Sequence, residues 1–332
     1  MDYRRIKVLF LAKYAPANLN SKIPSGIEDV IYAEYHHDIH RIISSMFEEV
    51  YSFSDVNQLL HNKPDVDYVF SLYNRMNFRN SEIFVSSVCE YYGIPYLGAT
   101  PNIRAVAEDK NLAKIFASHL GITTSEWCTC DVGKKIPKIT FEGPYFVKPR
   151  YGASSLYIDE KSFCVTQNDV FEKTKDYHNH GIDVIIEKYI SGTSITVPII
   201  NNYGSPIVLP FVVETSNTPH NIITYKQKRK IVNGLERMVN TDNLLQKEIQ
   251  SVALELFKSI QPLDYTRIDF IIDDNTKIPY FIEFNVCCNL GKHAAINISA
   301  NSIGISHNQL IENISLSSMY RQNLIEIPIN KL

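Results

Sequence analysis

The sequence predicts an α/β chain: a small parallel α/β unit, then α+β segments that end in an antiparallel sheet. Three observations carry this expectation. Over residues 1–100, short apolar runs and helical patterns follow the order strand–helix–strand–helix–strand, which is the order of a parallel sheet. Residues 265–290, YTRIDFIIDDNTKIPYFIEFNVCCNL, read as two alternating runs around a polar turn, the pattern of an antiparallel hairpin. The 332 residues, 45% hydrophobic and 21% charged, suit two or three subdomains sharing one cleft.

Composition excludes several classes. The formal net charge is −3 and no strong basic block stands in the chain, which argues against a nucleic-acid partner held by a broad basic patch. The run VLFLA follows Arg4, Arg5 and Lys7 and is too short for a signal segment or a membrane span, which needs roughly 18 apolar residues. No other run is long enough, so no membrane partner is expected. The six cysteines, Cys89, Cys128, Cys130, Cys164, Cys287 and Cys288, include no CxxC pair. A disulfide framework is not expected, and a reducing cytoplasm is. Cys128 and Cys130 lack the second pair that a zinc site would need.

The elements follow in order. Residues 6–12 form the first strand, and a loop with Pro16 and Pro24 leads to a helical pattern over 39–47. DYVFSL at 67–72 is the second strand. Ser81 caps a helix carrying Ile83, Phe84, Val88 and Tyr92, stopped by Gly93, and IPYLGA at 94–99 is the third strand. Ligands of such sheets bind beyond the carboxyl ends of the strands, which is where NRMNFRN at 74–80 falls. A helix over 109–120 carries Lys110 and Lys114 one turn apart, a spacing that also suits a solvated helix face. A strand over 145–148 ends at Lys148 and runs into Gly152, Ala153, Ser154 and Ser155. These small residues let a backbone approach a phosphate closely, although many Gly/Ser turns do nothing of the kind. TYKQKRK at 224–230 is a basic loop. Residues 243–260 form an amphipathic helix with Leu244, Leu245, Ile249, Val252, Leu256 and Phe257 on its apolar face. Residues 301–315 form a closing helix with Leu310, Ile311 and Ile314 inward.

The hairpin carries the chemistry. Its strands cover 267–272 and 278–286, so Arg267 and Asp269 share one face of the first, and Glu283 and Asn285 one face of the second. Closure brings all four together. Two carboxylates and an amide oxygen are hard donors that suit Mg²⁺ or Mn²⁺. The plainer reading is an amphipathic hairpin whose polar face meets water.

RIDF followed by FIEFN resembles the metal-binding core of the ATP-grasp ligases, especially the D-alanine–D-alanine ligase branch. The resemblance covers roughly residues 96–315. It implies that Asp269, Glu283 and Asn285 hold two Mg²⁺ ions on the phosphates of ATP, and that Arg267 stabilises the oxyanion of a tetrahedral intermediate. YLGATPNIRAVAEDKNLAKIFASHLGI is similar to the family segment whose lysine reaches the phosphates, here Lys110. FVKP and its Gly–Ser loop resemble the mobile glycine-rich loop, preceded by the ATP-contacting Lys148, with Gly152, Ser154 and Ser155 as loop contacts. The loop departs from the family pattern by one residue near Arg150. IIEKYISGTSITV resembles the adenine hinge, which would be Glu187, Lys188, Tyr189 and Ile190. Ser194 stands where the family has a ribose-contacting glutamate. In the basic loop the resemblance assigns the transferred phosphate to Lys228, with Lys226 second.

The substrate half departs from the family. The His-Gly and Gly-Glu-Asp-Gly stretch is replaced by residues 74–80, the first loop offers only Glu28 as an amine ligand, and a Pro-Gly-Met-Thr-Ser-like run is replaced by residues 286–293. Arg75, Arg79 and Lys292 could pair with substrate carboxylates, or be plain surface cations. Cys287 and Cys288 are read as pocket wall.

The resemblance thus implies an ATP-grasp fold with an N-terminal α/β domain over 1–105, a lid over 106–186 and a catalytic subdomain over 187–332. It implies an ATP-dependent ligase that joins the carboxylate of one amino acid or similar small molecule to the amine of another through an acyl phosphate, releasing ADP and phosphate. Many members are dimers, so a homodimer is allowed. Three alternatives stay open: ligation to a carrier protein or peptide end, a phosphotransferase using the same cleft, and a non-catalytic nucleotide-binding module. Retention of Arg267 argues against the last.

Overall fold

A computed structural model describes residues 2–23, 25–26, 29–61, 63–73, 76, 78–228, 231–240 and 243–327. Among them the strands form three sheets. The first is parallel: β1 (Val8–Leu11), β2 (Val50–Phe53) and β3 (Tyr68–Ser71), in the order β2-β1-β3. Every residue of β1 and β3 is buried, because core packs on both faces of the sheet, Phe10 and Phe70 on one side and Leu9 and Val69 on the other. The intervening helix spans Val30–Met46 and begins well before residue 39, because the Asp29 side chain accepts the Tyr32 N–H and caps it.

Residues 94–99, expected as the third strand, make only a single parallel bridge, Val69 to Tyr96. The third strand of the sheet is β2, which the sequence reading missed. The chain leaves the sheet at Gly98, where φ is +99° and a Cβ would lie 2.6 Å from Arg104 Nη2. The buried Asp264 carboxylate takes the Gly98 N–H at 2.6 Å. The Ile83–Tyr92 helix does stop at Gly93, in the left-handed conformation with φ 65°. Ser81 is not its cap; its hydroxyl accepts the Met76 N–H at 3.1 Å.

The second sheet is antiparallel: β4 (Trp127–Cys130), β5 (Tyr145–Pro149), β6 (Phe163–Cys164) and β7 (Val184–Lys188), ordered β4-β7-β5-β6. The Gln167–Asn179 helix packs on it, started by a capping box of Thr166 and Asp169. The third sheet holds β8 (Gly192–Asn202), β9 (Ser205–Val208), β10 (Val212–Ser216), β11 (Leu235–Val239), β12 (Tyr265–Asp273) and β13 (Pro279–Asn285). Its main path runs β11-β10-β8-β12-β13, with β9 paired to β8.

One apolar cluster joins β12, β13 and β8 to the Asn243–Ser259 helix through Ile249, Leu256, Phe257, Ile268, Phe270, Phe281 and Phe284. Leu244, expected on that helix's apolar face, is 82% exposed. The next residue, Leu245, is the one in that turn that packs against the cluster. The expected single closing helix is two, Ala295–Ser302 and His307–Arg321, broken at Gly304 with φ +85°. Leu310, Ile311 and Ile314 are inward in the second of them. The basic loop at 224–230 contains a short helical turn, Tyr225–Lys228.

Candidate active site

The hairpin register places the polar side chains. Arg267 lies opposite Asn285 and Asp269 opposite Glu283, with a bulge immediately after Asp269. Bulges re-aim side chains beside functional sites, and this one separates the polar pairs from Phe270 and Phe281, which face the core. Arg267 Nη2 donates to Asp269 Oδ2 at 3.0 Å, and Asn285 Nδ2 donates at 3.4 Å to both Asp269 Oδ2 and Glu283 Oε1. On the next strand, Thr196 stands opposite Asp269 and is fully buried. Its hydroxyl donates to Asp269 Oδ1 at 2.5 Å. Arg267 Nε is buried with no hydrogen-bond partner among the described residues. The face is therefore built and half-buried, not a hairpin surface open to water.

Lysines stand around Glu283 and the neighbouring Glu187. Lys110 Nζ lies 3.4 Å from Glu283 Oε2 and also donates to the Gly152 carbonyl of the small-residue loop. Lys148 Nζ lies 2.7 Å from Glu187 Oε2, and Lys114 Nζ lies 3.0 Å from Glu187 Oε1. Lys114 is fully buried; it donates to Thr124 and Ser125 and faces the Trp127 ring at 5.2 Å. The Lys110–Lys114 face is thus interior rather than solvated. Lys228 makes no side-chain hydrogen bond or ion pair with the described residues. Burial lowers the Lys228 ammonium below the usual lysine range, and the Arg267 charge adds to this.

The two carboxylates are driven apart. Burial raises Asp269 above the carboxylate range despite the Arg267 charge beside it, and the nearby Glu283 charge adds to the rise. Burial also penalises the Glu283 charge, but Lys110, Lys148, Lys228 and Arg267 together hold it below that range. A carboxylate buried against another carboxylate favours a cation between them. Among the described residues no three acidic, histidine or cysteine side chains converge as a closed cage. Two carboxylates and one amide leave coordination positions for phosphate oxygens and water, as Mg²⁺ prefers. The donor set fits the ion.

A cleft of about 720 Å³ opens between the second and third sheets. Its wall includes Lys110, Lys148, Gly152, Ser155, Glu187, Lys188, Tyr189, Ile190, Ser194, Lys228, Asp269 and Glu283. Phe146, Ile222 and Ile282 add apolar surface to that wall, and such pockets suit planar rings. Gly152 has φ +86°, and Ser154, Ser155 and Tyr157 lie at φ 62°, 55° and 64°. Successive non-glycine residues in this region store strain, about 1–3 kcal/mol each, which marks clamps and lids. Of the loop residues expected to contact ATP, Ser154 does not line the cleft.

The remaining expected residues scatter. Glu187 lines the cleft, but its carboxylate is committed to Lys114 and Lys148. The Lys188 and Tyr189 N–H groups already serve Glu126 and Pro144 at 2.9 Å, so the hinge offers fewer free backbone donors than its position implied. Arg79 lines the cleft, pairs with Asp183 of the second sheet's flank and lies 4.9 Å over the Tyr151 ring. Lys292 lies outside the cleft wall, more than half exposed and paired with Asp38 at 2.7 Å. Cys287 accepts from the buried Arg104 at 2.6 Å and Cys288 packs in the core, so neither thiol forms cleft wall. Arg75 and Glu28 lie outside the described residues. Sequence reading missed Thr196 and Glu214. The alternation of GTSITV pointed to Thr196; nothing short of strand pairing pointed to Glu214.

Comparison with known proteins agrees with this geometry. A family model described as D-ala D-ala ligase C-terminus matches residues 117–315. A D-alanine–D-alanine ligase of Clostridium beijerinckii is 30% identical over 239 residues, 71% of this chain and 76% of that protein. One of Clostridium botulinum is 26% identical over 296 residues, 87% of this chain and 91% of the relative. Among solved structures, the D-alanine–D-alanine ligase of Bacillus anthracis in complex with ATP superposes with a TM-score of 0.71 at 18% identity, covering 96% of this chain and 99% of that one. The VanG D-Ala:D-Ser ligase of Enterococcus faecalis gives 0.71 at 15% identity, covering 95% and 99%. Three sheets around a cleft lined by lysines on one side and a carboxylate hairpin on the other define an ATP-grasp enzyme. Within that class, the chain belongs to the D-alanine–D-alanine ligase family.

Proposed function

We propose that this chain is an ATP-dependent carbon–nitrogen ligase that joins two amino acids, with its hairpin as the catalytic face. The observation that carries this reading is the register that sets Arg267 and Asp269 against Asn285 and Glu283 beside the cleft, with Arg267 Nε buried and unpaired among the described residues. Lys110, Lys148 and Lys228 hold the phosphates of ATP, and the strained loop through Gly152, Ser154 and Ser155 covers them. Lys188, Tyr189, Ile190 and the apolar surface of the cleft wall hold the adenine, Ser194 lies toward the ribose, and Glu187 fixes Lys148. Asp269, Glu283 and Asn285 would hold Mg²⁺, which supplies charge neutralisation at the transferred phosphoryl group.

The chemistry balances in two steps. A carboxylate oxygen of the first amino acid takes the γ-phosphoryl group, and ADP leaves. The amine nitrogen of the second then attacks the acyl carbon, phosphate leaves with the acyl C–O bond, and the nitrogen releases a proton. Arg267 has an N–H free for the oxygen that becomes negative at that carbon. Closure of the loop over the cleft excludes water, which would otherwise hydrolyse the acyl phosphate.

The test is ADP release with Mg²⁺ and ATP across amino acids given singly and in pairs, with products read by mass spectrometry. A product equal in mass to two amino acids less water, formed only from a pair, is the expected result. A singly phosphorylated product would instead make the chain a phosphotransferase, and silence with ATP binding intact would point to a carrier-linked substrate. A second prediction concerns Thr196. Thr196→Val keeps the volume and removes the bond that orients Asp269. It is expected to raise the Mg²⁺ concentration for half-maximal rate about 10–100-fold, read from initial rates against Mg²⁺; an unchanged Mg²⁺ requirement would free Asp269 from that role. We further propose a cytoplasmic location, supported by six free thiols, and a homodimer in line with the family, which light scattering would check. No helix among the described residues is long and apolar enough to cross a membrane.

A further inference from the structure

The polar row of the hairpin does not stop at Thr196. Ser194 stands opposite both Ile271 and Glu214, and Glu214 stands opposite Arg237 on the edge strand. Residues directly opposite share a face, so Glu283, Asp269, Thr196, Ser194, Glu214 and Arg237 lie on the same side of the third sheet. Glu214 is 5% exposed and lines the cleft. Its Oε1 accepts from Arg237 Nε at 2.6 Å, and Arg237 Nη1 donates to the His293 carbonyl at 3.4 Å. A guanidinium has five N–H groups, and the other three of Arg237 have no partner among the described residues.

At this end of the cleft cations crowd Glu214. Glu214 faces Arg237, Lys228 and Arg267, and these three charges outweigh the burial that would raise it. Asp269 takes part of the Arg267 charge but is also the proposed ligand of a divalent cation. Glu214 engages only the Nε of Arg237 and the His293 carbonyl one Nη1 hydrogen, so the rest of the guanidinium fork keeps donors open for an arriving anion. The triphosphate is not that anion, since Lys110, Lys148 and Lys228 are its proposed holders and Arg237 is not among them. The loop that Arg237 touches, residues 286–293, is the one whose residues depart from the family run.

We propose that Arg237, held by Glu214, is the specificity-determining seat for a free carboxylate on the amine-bearing substrate. The acceptor is then an amino acid or a peptide with an unblocked C-terminus, rather than a simple amine, amide or ester. The inference rests on the ligase reading above. The planar fork of Arg237 suits a carboxylate bidentately, which a lysine would not reproduce.

The experiment separates the two half-reactions. Hydroxylamine replaces the acceptor and traps the acyl phosphate as a hydroxamate, with no carboxylate needed. The L- and D-amino acids are screened first as donors with hydroxylamine, then as acceptors, each acceptor beside its own carboxamide. Wild type is expected to use the acid form and discriminate against the carboxamide. Arg237→Met is expected to raise the acceptor KM about 10–100-fold and lose that discrimination, with hydroxamate formation within about threefold of wild type; Arg237→Lys should recover only part of it. The inference is overturned if Arg237→Met still discriminates, if wild type accepts acid and amide equally, if hydroxamate forms but no free amino acid serves as acceptor, or if Arg237→Met loses hydroxamate formation in parallel, which would make Arg237 structural. Absence of hydroxamate from every acid in wild type is a separate result: it would overturn the ligase reading itself.

Discussion

Arg267→Met is expected to lower kcat by about 10²–10³-fold, the usual cost of removing one donor to a developing oxyanion, with little change in the KM for ATP. The structure gives two reasons. The Nε of Arg267 is buried without a partner among the described residues, so it stands ready for a group that the free enzyme lacks. Its Nη2 is spent on Asp269 at 3.0 Å, so the residue also tunes that carboxylate. The second role makes the prediction sharper. The Arg267 charge lowers the Asp269 pKa against burial, which raises it. Removing that charge lets the pKa rise further, so Asp269 stays protonated to higher pH. The acid limb of the kcat profile should therefore move to higher pH in Arg267→Met, a shift that loss of an oxyanion donor alone would not produce. Rates within threefold of wild type, with an unmoved acid limb, would sink both roles.

Asp264→Asn is expected to cost about 3–5 kcal/mol of unfolding free energy, the range for removing one partner of a buried ion pair. Asp264 is 0% exposed. Its carboxylate accepts Arg321 Nε at 2.7 Å, Arg321 Nη2 at 3.1 Å and the Gly98 N–H at 2.6 Å, while Arg321 also reaches the Gly98 carbonyl at 3.1 Å. One side chain thereby ties the last helix and the turn after the parallel sheet to the residue just before β12. Asparagine keeps the shape, offers at best one acceptor of lower charge and leaves Arg321 short of its partner. The check is urea unfolding of both proteins, where the midpoint should fall at unchanged slope. A loss below about 1 kcal/mol would show that Arg321 finds water or another acceptor at no great cost.

Several features were legible because they are local. Period-two alternation in RIDF and FIEFN is enough to place Arg267 with Asp269 and Glu283 with Asn285, since a strand offers only two faces. Gly93 and Gly121 end helices because the left-handed conformation there is open to glycine. The start of the Val30–Met46 helix was local too, in the Asp29 cap, but its Asp was hidden among the polar residues of the first loop. IPYLGA has strand composition, but after its one bridge to Val69 the Leu97 carbonyl that further pairing would use accepts from Arg104 Nη2 instead, and the Gly98 N–H on the other side goes to Asp264, distant in sequence.

What the sequence by itself determined about this protein is the polar face of the hairpin, the lysine after Asp109, the lysine at the end of β5 and the family to which these motifs belong. Each depends on short-range periodicity or on spacing within one element. Only the tertiary structure decided that Glu187 is clasped by Lys114 and Lys148, that Thr196 orients Asp269, that Lys292 turns away to Asp38 and that Arg237 completes the row through Glu214. Those pairings join strands and helices far apart in the chain. A buried charge takes whichever opposite charge the packing brings within reach, because an unpaired buried charge is costly. For Thr196 and Arg237 that choice is made by the register of β8, β10, β11 and β12, and for Glu187 and Lys292 by the packing of helices and loops against other elements; no single stretch of sequence contains it.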